Sequence, residues 1–204
     1  LESSLKWWIA NLPQAPPRSV FVNTGYKRLV ITYSDGEGAD AGVGVGLWCK
    51  DLFGDVPLAG YLEVPTVVRE LWSRQKAHAE KHAKTSGEEF RDIIEIEAIG
   101  PLVLLTSWPE VFKDALWIHF IDNNSALGGL VKGSASVTQQ DIIIGHTWSC
   151  IAELGTLAWF DRVDSKSNPV DGLSRKDFSG KWTWRPVSFP AAVVDELRMA
   201  MKRK

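Results

Sequence analysis

Cysteine is scarce in this sequence, with two residues, Cys49 and Cys150, in 204. Two thiols cannot build a disulfide framework, so stability has to come from a packed core, and a reducing compartment is the expected setting. Long apolar runs are also missing. The runs at 102–105 and 142–144 are among the longest, far short of the roughly 18 residues that span a bilayer. No leader pattern opens the chain, because Lys6 precedes only the short run 7–10. An intracellular protein, cytoplasmic or nuclear and without a membrane partner, is the expectation. The chain starts at Leu1 and not at Met, which reads as an excised piece. Charge of one sign is lacking too: 23 Lys and Arg face 25 Asp and Glu, a net of −2. That excludes a protein that grips nucleic acid by bulk charge alone, so any such grip has to come from local segments.

Two familiar motifs are absent. There is no Gly-x-x-x-x-Gly-Lys phosphate loop. His78 and His82 stand four apart, but Ala79 replaces the Glu that a zinc-protease helix needs after its first His. A solvated basic helix is the expected role there. His119 and His146 read as packing or surface residues, and Ser149-Cys150 lacks a partner that would mark a nucleophile.

What is present is an ordinary globular balance, 45% hydrophobic and 24% charged, with ten Trp. Residues 1–25 carry Pro13, Pro16 and Pro17 and read as a lead-in or linker with one helical turn at 5–11. Residues 29–33 form an apolar, β-branched strand that ends at the turn signal Ser34-Asp35-Gly36-Glu37-Gly38. Residues 42–48 alternate Gly with apolar side chains, a second strand in which Gly42, Gly44 and Gly46 point to close backbone approach. Residues 58–64 are a third strand. Helices are expected at 66–84 and 93–108, a fourth strand at 116–121, helices at 123–131 and 138–157, a fifth strand at 159–163 and a short helix at 172–177. Three leading strands suit an antiparallel meander, and the helix-separated strands suit parallel pairing. Residues 187–204 read as a terminal helix in a solvated tail.

Four carboxylates stand out by position. Asp35 ends the first strand, Asp122 ends the fourth, Glu97 lies on the helix between them, and Asp171 follows the fifth strand. Sites in open α/β sheets collect where strands end and direction switches. Each acid has a plainer reading: Asp35 as a turn former, Asp122 and Asp171 as helix caps. Glu97 is the least expected as decoration, because Ile93, Ile94, Ile96, Ala98 and Ile99 surround it. Jointly, acids from four elements would repel one another unless hard cations neutralise them. An all-oxygen set points to Mg²⁺ or Mn²⁺, and two such ions are the usual equipment for phosphodiester hydrolysis.

The segments Ile31-Thr32-Tyr33-Ser34-Asp35-Gly36-Glu37-Gly38, Glu97-Ala98 with Trp108 downstream, and Ile121-Asp122-Asn123 carry a resemblance. So, most specifically, does Ser165-Lys166-Ser167-Asn168-Pro169-Val170-Asp171-Gly172-Leu173-Ser174-Arg175. Together they resemble the ribonuclease H domain of a retroelement reverse transcriptase over residues 26–178. The resemblance implies a ribonuclease H-like α/β fold: a five-stranded mixed sheet, three strands antiparallel and then parallel ones, flanked by helices. It implies Asp35, Glu97, Asp122 and Asp171 as catalytic, metal-binding acids. It also implies two Mg²⁺ ions that Mn²⁺ can replace, and hydrolysis of the RNA strand of RNA–DNA hybrids to 5′-phosphate and 3′-hydroxyl ends. Glu95 is a rival for the second acid. The loop 161–170 has no His where many family members carry one, and 64–90 is longer than the minimal fold needs, a basic helical insertion.

Gly36, Glu37 and Asn123 border the central acids and are the candidates for contacts to 2′-hydroxyls, with Arg175 and Lys176 as further substrate contacts. Two segments are locally basic: 66–84 has five basic residues against two acidic, and 174–185 has four against one. In the second, Trp182 and Trp184 interleave with Lys181 and Arg185, a pattern that stacks on nucleic acid or, more simply, packs a C-terminal strand onto the domain. Residues 179–204 are a C-terminal extension. The expected partners are a hybrid duplex and adjacent reverse transcriptase domains, with the isolated domain a monomer. Two rivals stand beside this reading. One is a 3′–5′ exonuclease of related fold, for which Asp35-Gly36-Glu37 fits but the closing His or Tyr is missing. The other is an inactive nucleic-acid tether, against which the retention of all four acids speaks.

Overall fold

A computed structural model describes residues 27–82 and 93–202, with side chains at 27–74 and 93–200. The lead-in 1–25, the side chains of Lys76, His78, Lys81 and His82, and the remainder of the basic insertion lie outside the described residues.

Apolar alternation builds a six-stranded sheet. Its strands are β1 (Leu29–Glu37), β2 (Gly42–Trp48), β3 (Leu58–Glu63), β4 (Leu116–Ile121), β5 (Leu157–Arg162) and β6 (Thr183–Trp184). Their order is β5-β4-β1-β2-β3-β6. β1, β2 and β3 pair antiparallel, while β4 joins β1 and β5 joins β4 in parallel. This is the ribonuclease H-like arrangement that the sequence resemblance implies. It has one strand more than expected: β6 comes from the C-terminal extension and lies parallel to β3 through Thr183 and Trp184. So the Trp-rich segment is a sheet edge, with Trp182 packed beside Trp48 at 5.3 Å between ring centroids.

The helices are α1 (Lys50–Phe53), α2 (Thr66–His82), α3 (Ile93–Ser107), α4 (Pro109–Phe112), α5 (Asn124–Lys132), α6 (Thr138–Glu153), α7 (Asp171–Ser174) and α8 (Ala191–Lys202). α3 is buried from Glu95 to Leu105 and packs between the sheet and α6. An apolar helix of this kind, without a polar face, belongs in a core. Trp72, Trp108 and Trp117 are fully buried around it. None of the described helices is long and apolar enough to cross a membrane.

Three expectations are corrected. The turn after β1 starts later than the residue types suggest: Ser34–Glu37 continue the strand, with Gly36 opposite Val43 and Glu37 opposite Gly42. The reversal falls at 38–41, where the Glu37 carboxylate accepts the N–H groups of Ala39 and Asp40 at 2.9 and 2.8 Å. The long helix ends at Glu153, and Leu157 already belongs to β5. The terminal helix is no solvated tail, because Val193 and Leu197 are fully buried, four apart on one stripe of α8 that packs against α6 and α2.

The two faces of β1 are covered differently. Ser34 and Gly36 face α3, where a Cβ on Gly36 would stand 3.0 Å from the backbone N of Glu97. The opposite face of β2 is a trough made by Gly42, Gly44 and Gly46. A Cβ on Gly44 would meet Leu173 Cβ at 2.7 Å and Ser174 N at 2.8 Å. The expectation of close backbone approach is met, and α7 is what approaches. Gly44→Val is therefore expected to lift α7 off the sheet and cost about 1–3 kcal/mol, read as a lower midpoint in urea. An unchanged midpoint would mean that the turn is not seated on the trough.

Candidate active site

Each acid is delivered by a local reason. Asp35 lies within β1 and not at its end, 3% exposed, paired with Gly44 of β2 just beyond the last β1–β4 pair, Tyr33 with Phe120. Glu97, 5% exposed, reaches it because Gly36 has no side chain to keep α3 away. Asp122 follows β4 directly. It is not the cap of α5: that is Asn123, whose Oδ1 accepts Ser125 N and Ala126 N at 3.0 Å each, which leaves the Asp122 carboxylate for the site. Carboxylate oxygens of Asp35, Glu97 and Asp122 lie within 4.8 Å of one another. Glu97 joins this group and Glu95, though also buried, does not.

Asp171 stands at the rim, at the start of α7. Its Oδ2 accepts a bond from Arg175 Nη1 at 2.6 Å, and its side chain is 29% exposed. It lies outside the tight group of three, yet its charge is felt there. Burial pushes the Asp35 carboxyl up to about 7; the Ser174 hydroxyl pulls it back, and the charges of Asp122 and Asp171 raise it further. Glu97 is pushed up to about 9, first by burial and then by the charges of Asp35 and Asp122, against one bond from the N–H of Gly36. Glu97 Oε2 is buried without a hydrogen-bond partner among the described residues. A buried carboxylate oxygen with no partner, in a group of acids that repel one another, fits a hard divalent cation.

The other sequence candidates are placed as follows. Gly36 spends its N–H on Glu97, Glu37 closes the hairpin turn, and Asn123 caps α5. Lys176 bridges Asp40 and Glu63 at 3.0 Å each. Arg185 pairs with Glu110 at 2.5 Å and lies over the Trp108 ring. So the basic residues around α7 and β6 are largely occupied by partners of their own chain. Arg69 and Arg74 on α2 are exposed, with Arg74 3.9 Å from Glu70.

Two polar features surround the acids: His119, read from the sequence as a packing or surface residue and here a packing one, and a pair that the sequence left unassigned. Beneath the acids, His119 is fully buried, with Thr32 Oγ1 2.7 Å from Nδ1 and Ser34 Oγ 3.1 Å from Nε2. Trp117 Nε1 donates to Thr32 Oγ1 at 2.7 Å. Burial drops the imidazole to about 3, so it is neutral and structural. The second is the pair Asn168 and Ser174, which both bond to the Asp35 segment. Both residues stand in the quoted terminal motif, the one signal that could have flagged them.

No family model matches this chain, and no curated protein does. Among solved structures the chain is similar to LC11-RNase H1, isolated from compost by a metagenomic approach, at 11% identity with a TM-score of 0.38. That match covers 74% of this chain and 92% of the other.

Proposed function

We propose that the chain is a divalent-metal-dependent endonuclease acting on the RNA strand of RNA–DNA hybrids, as the ribonuclease H domain of a retroelement reverse transcriptase. The observation that carries this reading is the convergence of Asp35, Glu97 and Asp122 from three separate elements onto one spot, two of them buried. The retroelement context rests on the terminal motif of 165–175. Mg²⁺ ions bound there would supply activation of the attacking water and stabilisation of the leaving 3′ oxygen. The chain's own part is to hold the acids converged, to keep Glu97 Oε2 open for a cation, whose charge would favour the ionised acids, and to bury the Asp35 side. Adjacent reverse transcriptase domains are the proposed partners.

The test is cleavage of an end-labelled RNA–DNA hybrid with Mg²⁺, with Mn²⁺ and in EDTA. Internal cuts in RNA, with 5′-phosphate products and only with metal, are expected. Undiminished cleavage in EDTA, or stepwise loss from a 3′ end, rejects the reading.

Asp171 is the proposed fourth acid. Asp171 is the first residue of α7 and does not cap it; its carboxylate pairs with the exposed Arg175, and a surface pair of this kind contributes little, so Asp171→Asn is expected to melt within a few degrees of wild type. Cleavage at low Mg²⁺ should fall strongly and recover in part at high Mg²⁺. Wild-type cleavage at low Mg²⁺ would make Asp171 structural.

With Arg175, Lys176 and Arg185 held in internal pairs, α2 is the proposed grip on the duplex. Replacing Arg69, Arg74, Lys76 and Lys81 by Gln should weaken hybrid binding and flatten its salt dependence, by about 0.9 in log–log slope per lost phosphate contact. Fluorescence anisotropy over a salt series checks it, and an unchanged slope would mean that α2 does not meet the backbone.

A further inference from the structure

We infer that Asn168 and Ser174 form a clasp that positions Asp35, so that the terminal motif serves the first acid of the site as well as carrying the fourth. The inference rests on the metal-centre reading above and concerns how that centre is held. Asn168 Nδ2 donates to the carbonyl oxygen of Ser34 at 3.0 Å. Ser174 Oγ has two acceptors in reach, Asp35 Oδ2 and the Asp171 carbonyl oxygen at 3.0 Å; the contact to Asp35 is the shorter, and the charged acceptor is the stronger one for its single proton. One loop thus grips two consecutive residues of β1, the first by its backbone and the second by its carboxylate.

The loop is built to hold that geometry. Asn168 is 6% exposed and Ser174 is fully buried. Asn168 Oδ1 also accepts Val170 N at 3.3 Å, which ties the loop to itself. Val170 and Leu173 pack with Ala59 beneath Tyr33 and Trp182. The glycine trough lets this stretch lie flat: a Cβ on Gly42 would stand 2.3 Å from Ser174 O, and one on Gly46 would stand 2.6 Å from Val170 Cγ1. Trough, apolar anchors and two side-chain bonds therefore all converge on one result, a fixed Ser174 hydroxyl beside Asp35.

Asp35 needs such a hold. Glu97 and Asp122 lie within 4.8 Å of it, and like charges at that range drive a side chain toward another rotamer. A hydroxyl donating to a carboxylate is a charge-assisted bond, stronger than a neutral one. Ser174 and Asn168 are positioning residues, since they reach the site through Asp35, Ser34 and the backbone of Asp171. Residues that orient a ligand in this way typically change metal affinity about 10–100-fold when removed.

The experiment uses the full chain with three variants, Ser174→Ala, Ser174→Thr and Asp35→Asn, and reads Mg²⁺ binding by calorimetry beside melting temperature and hybrid cleavage. Ser174→Ala is expected to bind Mg²⁺ about 10-fold more weakly than wild type while its metal-free melting temperature stays within a few degrees. Ser174→Thr, which keeps the hydroxyl, should recover most of the affinity, and Asp35→Asn gives the fully broken reference. Wild-type Mg²⁺ affinity in Ser174→Ala overturns the clasp. If Ser174→Ala does not fold, NMR of wild type beside Asp35→Ala decides. A Ser174 hydroxyl proton protected from exchange in wild type and exposed in Asp35→Ala supports the clasp; one averaged with water in wild type, or equally protected in both, overturns it. Failure of the metal-centre reading looks different, because wild type itself would then bind no Mg²⁺ while the NMR result still tests the clasp.

Discussion

Asp35→Asn is expected to melt higher than wild type in EDTA at pH 8 and to lose hybrid cleavage by more than the roughly 100-fold that outer partners of a metal site cost. Both effects have one cause. Burial, and then the charges of Asp122 and Asp171, lift the Asp35 carboxyl to about 7 against the pull of the Ser174 hydroxyl. At pH 8 wild type therefore carries this group ionised at a cost to the fold. Asn has the same shape, no charge, and an oxygen that still accepts from Ser174. Each pKa unit is worth about 1.4 kcal/mol, and 1 kcal/mol moves a domain of this size by roughly 2–4 °C, so a rise of several degrees is expected. Thermal melts in EDTA and a gel assay in Mg²⁺ check the two halves. A fall in melting temperature would show that Asp35 stabilises the fold. Retained cleavage would remove it from the chemistry.

Raising the pH should destabilise the metal-free protein, and Mg²⁺ should reverse that. Asp35 goes from 3.8 to about 7 and Glu97 from 4.5 to about 9 on folding. Both folded values lie above the unfolded ones, so the native state holds protons that the unfolded chain has released. Their stabilisation is complete below the unfolded values and is lost as pH rises through about 7 and then about 9. His119 acts with the opposite sign: its folded value, about 3, lies below the ordinary 6.5, so stability drains away as pH falls through that interval. Between 4.5 and 6.5 the two acids outweigh the one imidazole. For these three groups, the metal-free maximum falls at about pH 4–5. A cation binds the ionised acids, so the rise in melting temperature on adding Mg²⁺ should be small at pH 5.5 and large at pH 8.5. Scanning calorimetry over that range, with and without EDTA, measures it. A metal-induced shift that does not change with pH would mean that the ion binds elsewhere.

The parts of the molecule legible in the sequence are those whose signals are local. β2 and β4 lie where alternation and β-branched runs put them, and Asn123 has the side chain to cap a helix. Residues 34–37 were misread because Ser, Asp and Gly are turn formers by propensity. Here they stay extended because Val43 and Gly42 pair with them and because the site needs Asp35 within the sheet. Polar residues placed against propensity mark functional ground. β6 was missed because two paired residues leave no periodicity to read. The burial of α8 was missed because its partner faces on α6 and α2 are set by tertiary packing. The acids were legible as types and order, but their proximity was not, since it depends on Gly36 admitting α3. The clasp was hidden for the plainest reason: Asn168 stands 134 residues from Ser34, and Ser174 stands 139 from Asp35.

That separation has a consequence during synthesis. Asp35 is made well before the residues that orient it. At roughly 5–20 residues per second, the 139 residues between Asp35 and Ser174 take about 7–28 s to add. Over that interval the nascent chain can pair β1 with β2 and β3, but no donor is yet available to fix the first acid. A truncated or stalled product ending before Asn168 has Asp35, Glu97 and Asp122 yet lacks the loop that aligns them. Such a fragment should be inert toward any hybrid nearby. The order of the chain thus acts as a timer, and competence arrives only once Ser174 has been made.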